Sequence, residues 1–385
     1  MLRLPHFQYL APRSLDEAAQ LLAEHGPRAM VVAGGTDLWP NMKRRQQEPP
    51  VVIGLRAVPG LAAIGALDDG QLRLGATASL HQVASHPVVR ERYPALSAAA
   101  GLVSTPHLRR MGTLGGNLCL DTRCTYYDQT YQWRKSIDFC LKKDGAICWV
   151  APNSPRCWAV SSSDTAPVAV ALRARLNLVS ATTLNVSANN NDVSANTATG
   201  NANDGDVSAN TLMGKANRRD VSANTATGNA NTSRTVDAAD FFRDDGMLYL
   251  TRRPNEILAS IDLPNLDGWQ MTYEKLRRRG SFDFPILGVA AAVKLNDGLV
   301  EDIRLVLGAV GSAPVDQSVL AVTLVGSRPS YDAIQAVAAA AYKGARPLDN
   351  TDLNYAWRKK MTRVYVERAL ARVCNVEIPP AHDLA

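Results

Sequence analysis

Read from the N-terminus, the chain alternates between the two apolar periods that mark secondary structure, about 3.6 residues for a helix and 2 for a strand. Residues 15–25 carry apolar positions at helical spacing behind a capping box formed by Ser14 and Glu17, and Gly26-Pro27 stops the run. A short apolar run at 28–33 predicts a strand ending in Gly34-Gly35-Thr36-Asp37, and residues 50–55 predict the next buried strand. Together they form a small alternating α/β unit. A second unit starts near Pro59, with a period-two strand at 71–76, a helix begun by Ser79 and ending near Ser85, and a helix around 94–102. It leads into Met111-Gly112-Thr113-Leu114-Gly115-Gly116-Asn117-Leu118.

The pattern then breaks. Residues 120–160 hold most of the cysteines, many aromatics and no sustained period, which predicts an inserted loop. Regularity resumes at Asp164-Thr165-Ala166-Pro167 with a helix through Leu172. Residues 185–233 repeat in sevens, seen at Asp192-Val193-Ser194-Ala195-Asn196 and again from Asp206 and Asp220. With no large apolar residue in each repeat, burial cannot offset the ordering entropy, so a surface insertion expanded within a β-hairpin is expected. From about Trp269, runs at 272–276, 286–295 and 300–310 predict strands, the last two joined by Asn296-Asp297-Gly298, a hairpin signal. Helices at 331–343 and 354–374 follow, so the third domain is expected to be α+β, packed on one face of its sheet.

Composition narrows the function classes. A chain of 385 residues, 46% hydrophobic and 20% charged, can bury two or three cores. No segment reaches the roughly 20 apolar residues of a membrane span, and the N-terminus lacks the apolar core of a secretion signal, so a cytoplasmic protein is expected. The net charge of +6 is modest, and Arg277-Arg278-Arg279 is the one tight basic run near anything of interest. Without an organised basic face, nucleic-acid binding is set aside. The six histidines form no ligand-spaced set, and no nucleophile motif is present. The chemistry must therefore come from cofactors.

Two features supply candidates. The Gly34-Gly35 turn leaves a buried strand, so its N–H groups can converge on an anion that glycine lets approach closely. The second feature is a set of cysteines. Five of the six lie between Cys119 and Cys157, and Cys124, Cys140, Cys148 and Cys157 give a four-ligand count within 34 residues. Without a secretory signal this favours metal over disulfides, and the count suits a zinc site or an iron–sulfur cluster. The short Cys-x2–4-Cys knuckles of structural zinc are absent. Cys119 is expected to be a packed thiol facing the cofactor, and Cys374 a core residue.

Three segments in this order resemble the FAD-contacting segments of the flavoprotein subunits of the xanthine dehydrogenase and CO dehydrogenase, or molybdenum hydroxylase, family. They are Val31-Val32-Ala33-Gly34-Gly35-Thr36-Asp37-Leu38, Gly112-Thr113-Leu114-Gly115-Gly116-Asn117, and Asp164 with Pro167. The resemblance implies a vanillyl-alcohol-oxidase-like (PCMH-type) FAD-binding fold of two α/β subdomains, 1–57 and 58–265, and a CO-dehydrogenase-flavoprotein-like C-terminal α+β domain, 268–377. It also implies that residues 31–38 with Thr113, Gly115, Gly116 and Asn117 hold the pyrophosphate and adenosine end of FAD. Asp164 would bond the ribityl or phosphate region, and Lys275 would lie near the isoalloxazine ring.

The run from Leu114 to Thr125 also resembles the flavin subunit of 4-hydroxybenzoyl-CoA reductases, whose insertion carries a [4Fe–4S] cluster. That resemblance assigns Cys124, Cys140, Cys148 and Cys157 as ligands. It implies an oxidoreductase subunit that relays electrons from a low-potential donor such as ferredoxin to a partner [2Fe–2S] small subunit and a molybdopterin-binding large subunit, in a dimer of heterotrimers. Two rival expectations remain: an FAD subunit of an oxidative xanthine, CO or aldehyde dehydrogenase, and a zinc-stapled FAD-binding scaffold module.

Overall fold

A computed structural model describes residues 3–181 and 232–379 of the chain. The repeat expected at 185–233 lies outside the described residues except for its last two, which begin a strand.

In the first unit, β1 (Gln8–Leu10), α1 (Leu15–His25), β2 (Ala29–Val32), α2 (Leu38–Lys43) and β3 (Val51–Gly54) form a parallel sheet of order β1-β3-β2. Ser14 caps α1 by accepting from the Glu17 N–H at 3.0 Å, while the Glu17 carboxylate reaches past the cap to the Arg13 N–H. Gly26 ends α1 at φ 52°, a left-handed conformation that glycine adopts freely. The helix buries Ala18, Ala19 and Leu22 in the core that holds Val51 and Ile53.

The second unit runs through β4 (Ile64–Ala66), β5 (Leu72–Gly75), α3 (Leu80–Ser85), α4 (Pro87–Arg92), α5 (Pro94–Leu102), α6 (Pro106–Met111), α7 (Leu114–Leu118), α8 (Tyr131–Ser136) and α9 (Thr165–Ala171). It closes with β6 (Arg175–Ser180), β7 (Thr232–Asp237), α10 (Ala238–Phe241) and β8 (Ile257–Leu263). Its sheet has the order β4-β5-β8-β6-β7, every pair antiparallel. Because Ser180 pairs with Thr232, the strands flanking the repeat are partners in a hairpin, as the sequence predicts.

The third unit contains β9 (Trp269–Leu276), β10 (Leu287–Asn296), β11 (Leu299–Gly308), β12 (Val315–Asp316), α11 (Ser318–Ala321), α12 (Tyr331–Gly344) and α13 (Tyr355–Val373). Its antiparallel sheet has the order β12-β11-β10-β9, and Asp297 and Gly298 turn between β10 and β11 with φ of 49° and 79°, both positive as a tight hairpin requires. One expectation is corrected here: this sheet is covered on both faces. Val289, Ala291 and Val293 face α12 and α13, whereas Ala290 and Ala292 join the core of the second unit together with Ala166 and Ala169 of α9. Small alanines on the second face let α9 lie close, and a strand buried on both sides loses its alternation. No helix among the described residues is long and apolar enough to cross a membrane.

Candidate functional site

A cleft of ≈ 500 Å³ opens where the first and second units meet, beside the loop that follows β9. Residues 31–38 form one wall, and Thr113, Gly115, Gly116, Asn117 and Asp164 contribute to the others. Segments separated by about 80 and 130 positions in the chain thus share one cavity, a convergence typical of binding sites.

The glycine turn owes its shape to crowding. A Cβ on Gly34 would collide with the Met111 carbonyl, and Gly35, at φ 71°, has the Trp39 indole where its Cβ would stand. Among the described residues, nothing accepts a hydrogen bond from the N–H groups of Gly34, Gly35 or Thr36. Three donors beside a cleft are an anion cradle. The second glycine turn works differently. The N–H groups of Leu114 and Gly115 bond the Ala78 and Ala76 carbonyls at 2.9 and 2.8 Å, and those of Gly116 and Asn117 turn back to Thr113. The backbone N–H groups of residues 114–117 are therefore spent within the protein, and the turn presents surface to the cleft. Asn117 pins it to the third segment: its Oδ1 accepts from Ser163 Oγ at 2.9 Å, from Thr165 Oγ1 at 2.7 Å and from the Thr165 N–H at 3.1 Å.

Asp164 sits at the base of the cleft, where Tyr273 Oη and Lys275 Nζ each donate to it at 2.9 Å. Burial pushes its carboxyl above the usual range, and the Lys275 ammonium works against that rise. Lys275 also donates to the Leu102 and Asp283 carbonyls, both at 3.1 Å. Its three protons are thus spent on protein acceptors. It stands directly behind Asp164, which lines the cleft, and serves as its counter-charge.

Several lining residues carry no signal of their own in the sequence. Arg123, in the inserted loop, pairs with Asp37 of the glycine turn, lies 3.5 Å from Asp128 and stacks over Phe284 with 4.6 Å to the ring centroid. Burial disfavours its charge, but the Asp37, Asp128 and Asp121 carboxylates more than offset this. Tyr249, Arg252, Phe282 and Phe284 also line the cleft. The signal that could have found Arg123 is Asp37 itself, an acid closing a buried glycine turn and in need of a cation. Cys119 lines the cleft and Cys374 lies in the third unit's core, both as the sequence predicts. His107 is exposed on α6 and does not line the cleft.

The inserted loop brings four free thiols together. Cys124, Cys140, Cys148 and Cys157 are all buried, three of them in one cluster with Tyr127 and Ala159. Cys148 lies within electrostatic reach of Cys140 and Cys157. Burial pushes the Cys124 thiol up to about 12 and that of Cys157 up to about 11. Backbone N–H groups oppose this: those of Tyr126 and Tyr127 act on Cys124, those of Lys142 and Lys143 on Cys140, and that of Ala159 on Cys157. In each case the donor lies two or three residues after the sulfur, the arrangement that stabilises thiolate. Among the described residues, no group of three or more His, Cys, Asp or Glu side chains stands ready at the spacing of a metal ion. The four thiols are thus buried and free but not arranged at metal-ligating spacing.

Comparison with known proteins agrees with this geometry. Residues 5–191 match the family described as FAD binding domain in molybdopterin dehydrogenase, and residues 271–373 match the CO dehydrogenase flavoprotein C-terminal domain. The carbon monoxide dehydrogenase medium chain of Hydrogenophaga pseudoflava is 37% identical over 114 residues, which are 30% of this chain and 39% of that protein. The glyceraldehyde dehydrogenase medium chain of Sulfolobus acidocaldarius is 22% identical over 96% of this chain and 99% of that one. The fold is that of the solved carbon monoxide dehydrogenase from Hydrogenophaga pseudoflava which lacks the Mo-pyranopterin moiety, with a TM-score of 0.69 at 23% identity, covering 96% of this chain and 98% of that one. In both matched domains, in their order and in its fold, the chain is similar to the FAD-binding, medium-chain subunits of the molybdenum hydroxylase family.

Proposed function

We propose that this chain holds FAD in the cleft and is the electron-transfer subunit of a molybdenum-containing dehydrogenase, with 1–57 and 58–265 as its FAD-binding subdomains and 268–377 as its third domain. One observation carries the reading: residues 31–38, Thr113, Gly115, Gly116, Asn117 and Asp164, far apart in sequence, line a single ≈ 500 Å³ cleft that has unspent N–H donors in its glycine turn. Bound FAD supplies the redox chemistry, exchanging electrons singly or in pairs. Gly34, Gly35 and Thr36 would donate to its pyrophosphate, and Arg123 and Arg252 would offset the phosphate charge. Asn117 keeps the second and third segments in register, and Lys275 with Tyr273 holds Asp164 in place as a fixed acceptor.

The relatives are named as dehydrogenases, which favours the oxidative direction over reduction of 4-hydroxybenzoyl-CoA. Electrons would leave a molybdopterin-binding large subunit, cross a [2Fe–2S] small subunit and exit through this chain. A second reading rests on the cysteine pocket. Four buried thiols, three of them facing N–H donors, favour a [4Fe–4S] cluster on Cys124, Cys140, Cys148 and Cys157, and a cluster beside the flavin suits inward flow from a low-potential donor such as ferredoxin.

Anaerobic mixing of the assembled complex separates the two. Bleaching of the flavin by an aldehyde, carbon monoxide or a purine supports the oxidative reading. Bleaching by reduced ferredoxin alone, with reoxidation that requires 4-hydroxybenzoyl-CoA, supports the reductive one. A complex without flavin overturns both.

A further inference from the structure

The inserted loop grips α2, the helix that follows the glycine turn, at both ends. At the start of α2, Arg123 pairs with Asp37, and Asp37 also accepts from Asn41 Nδ2 at 3.2 Å. Past its end, Arg134 Nη2 donates to the carbonyls of Arg44 and Arg45 at 3.1 and 2.9 Å, and Gln46 Nε2 donates to the Tyr127 carbonyl at 2.6 Å. The loop residues that make these contacts, Arg123, Tyr127, Asp128 and Arg134, lie between Thr122 and Cys140, a stretch that holds the first two cysteines of the pocket. Arg123 directly precedes Cys124. Its side chain is buried, its Nε has no partner among the described residues, and it lines the cleft. One side chain therefore touches the flavin turn while its own backbone leads into the cysteine pocket.

We propose that Arg123 is a positioning residue that makes FAD binding and metal loading of the four-cysteine pocket depend on each other. The inference rests on the reading of that pocket as a metal site. When the sulfurs draw in on a metal, the 123–140 stretch loses freedom, Arg123 is held against Asp37, and the glycine turn keeps the shape in which its N–H groups converge. The converse follows by thermodynamic necessity, because a coupling between two binding equilibria is the same in both directions. The buried Asp121 and the half-buried Asp37, together with Asp128, face Arg123, so its charge stays compensated in either state.

The test uses the full chain, with FAD affinity read from the quenching of flavin fluorescence in metal-loaded and chelator-stripped protein. Stripping should weaken FAD binding in the parent by about 5- to 150-fold, the usual range of such couplings. In Arg123→Gln the two states should bind FAD alike, and Arg123→Lys should restore part of the difference, which a merely structural role would not do. Should Arg123→Gln fail to fold, the parent comparison and Arg123→Lys carry the test. Equal affinity of loaded and stripped parent overturns the inference while leaving the metal site standing. So does a full difference retained in Arg123→Gln. A chain that takes up neither zinc nor iron with sulfide overturns the metal reading and the inference with it.

Discussion

Replacing Lys275 with Met should destabilise the chain by about 3–5 kcal/mol near neutral pH, the usual cost of stranding one partner of a buried ion pair. The magnitude follows from the surroundings. The side chains of Lys275 and Asp164 are 1% and 3% exposed, so solvent does not screen them. Loss of the ammonium leaves the Leu102 and Asp283 carbonyls without their donor and Asp164 with the Tyr273 hydroxyl alone. The cost also depends on pH. Burial already holds the Asp164 carboxyl above its ordinary value of 3.8, and Lys275 is the largest influence pulling it back. For a group whose pKa is raised on folding, stability is complete below the unfolded value and is lost as pH rises through the folded one. Without Lys275 the folded value rises further, so the loss extends toward neutral pH. Urea unfolding followed by tryptophan fluorescence should therefore show the full deficit near neutrality and a smaller one in mild acid, where the carboxyl takes a proton. Adding Asp164→Asn should recover much of the loss. A deficit below about 1 kcal/mol at every pH, the size expected of an exposed pair, would refute the reasoning.

Two further substitutions probe the cleft. Gly35→Val forces a β-branched residue to φ 71° against Trp39, so FAD binding should fall at least tenfold while the circular dichroism of the third unit's sheet and helices is retained. Asn117→Ala removes three accepted hydrogen bonds at about 1 kcal/mol each, so a loss of about 2–3 kcal/mol in urea is expected, with weaker FAD binding because segments 113–117 and 163–165 come unpinned.

Local signals were the ones the sequence carried best. The Ser14 cap, the Gly26 stop and the Asn296-Asp297-Gly298 turn each act within a few residues, and the structure places them as predicted. Strands β6 and β8 went unread because their partners are remote: Leu72 pairs with Leu263 across the whole second unit. The polar edge strand β7 has one neighbour and little burial, so it shows no apolar period. Helix α7 holds two glycines in five residues and is helical because Thr113 caps it and Asn117 is anchored by Ser163 and Thr165. The site divides in the same way. The glycine turns were legible because crowding at glycine is a local demand. Arg123 was not, since its reason for being there is an aspartate 86 positions away, and the pairing of Lys275 with Asp164 spans 111 positions.

The most direct test is the flavin content of the purified full chain, measured with iron, acid-labile sulfide and zinc, for the parent and for Cys140→Ser. The account predicts one FAD per chain; about four iron and four sulfide, lost in Cys140→Ser, would carry the second reading of the cysteine pocket. Zinc without sulfide would reduce the cysteine pocket to a structural staple, and a parent chain that binds no FAD would contradict the central claim.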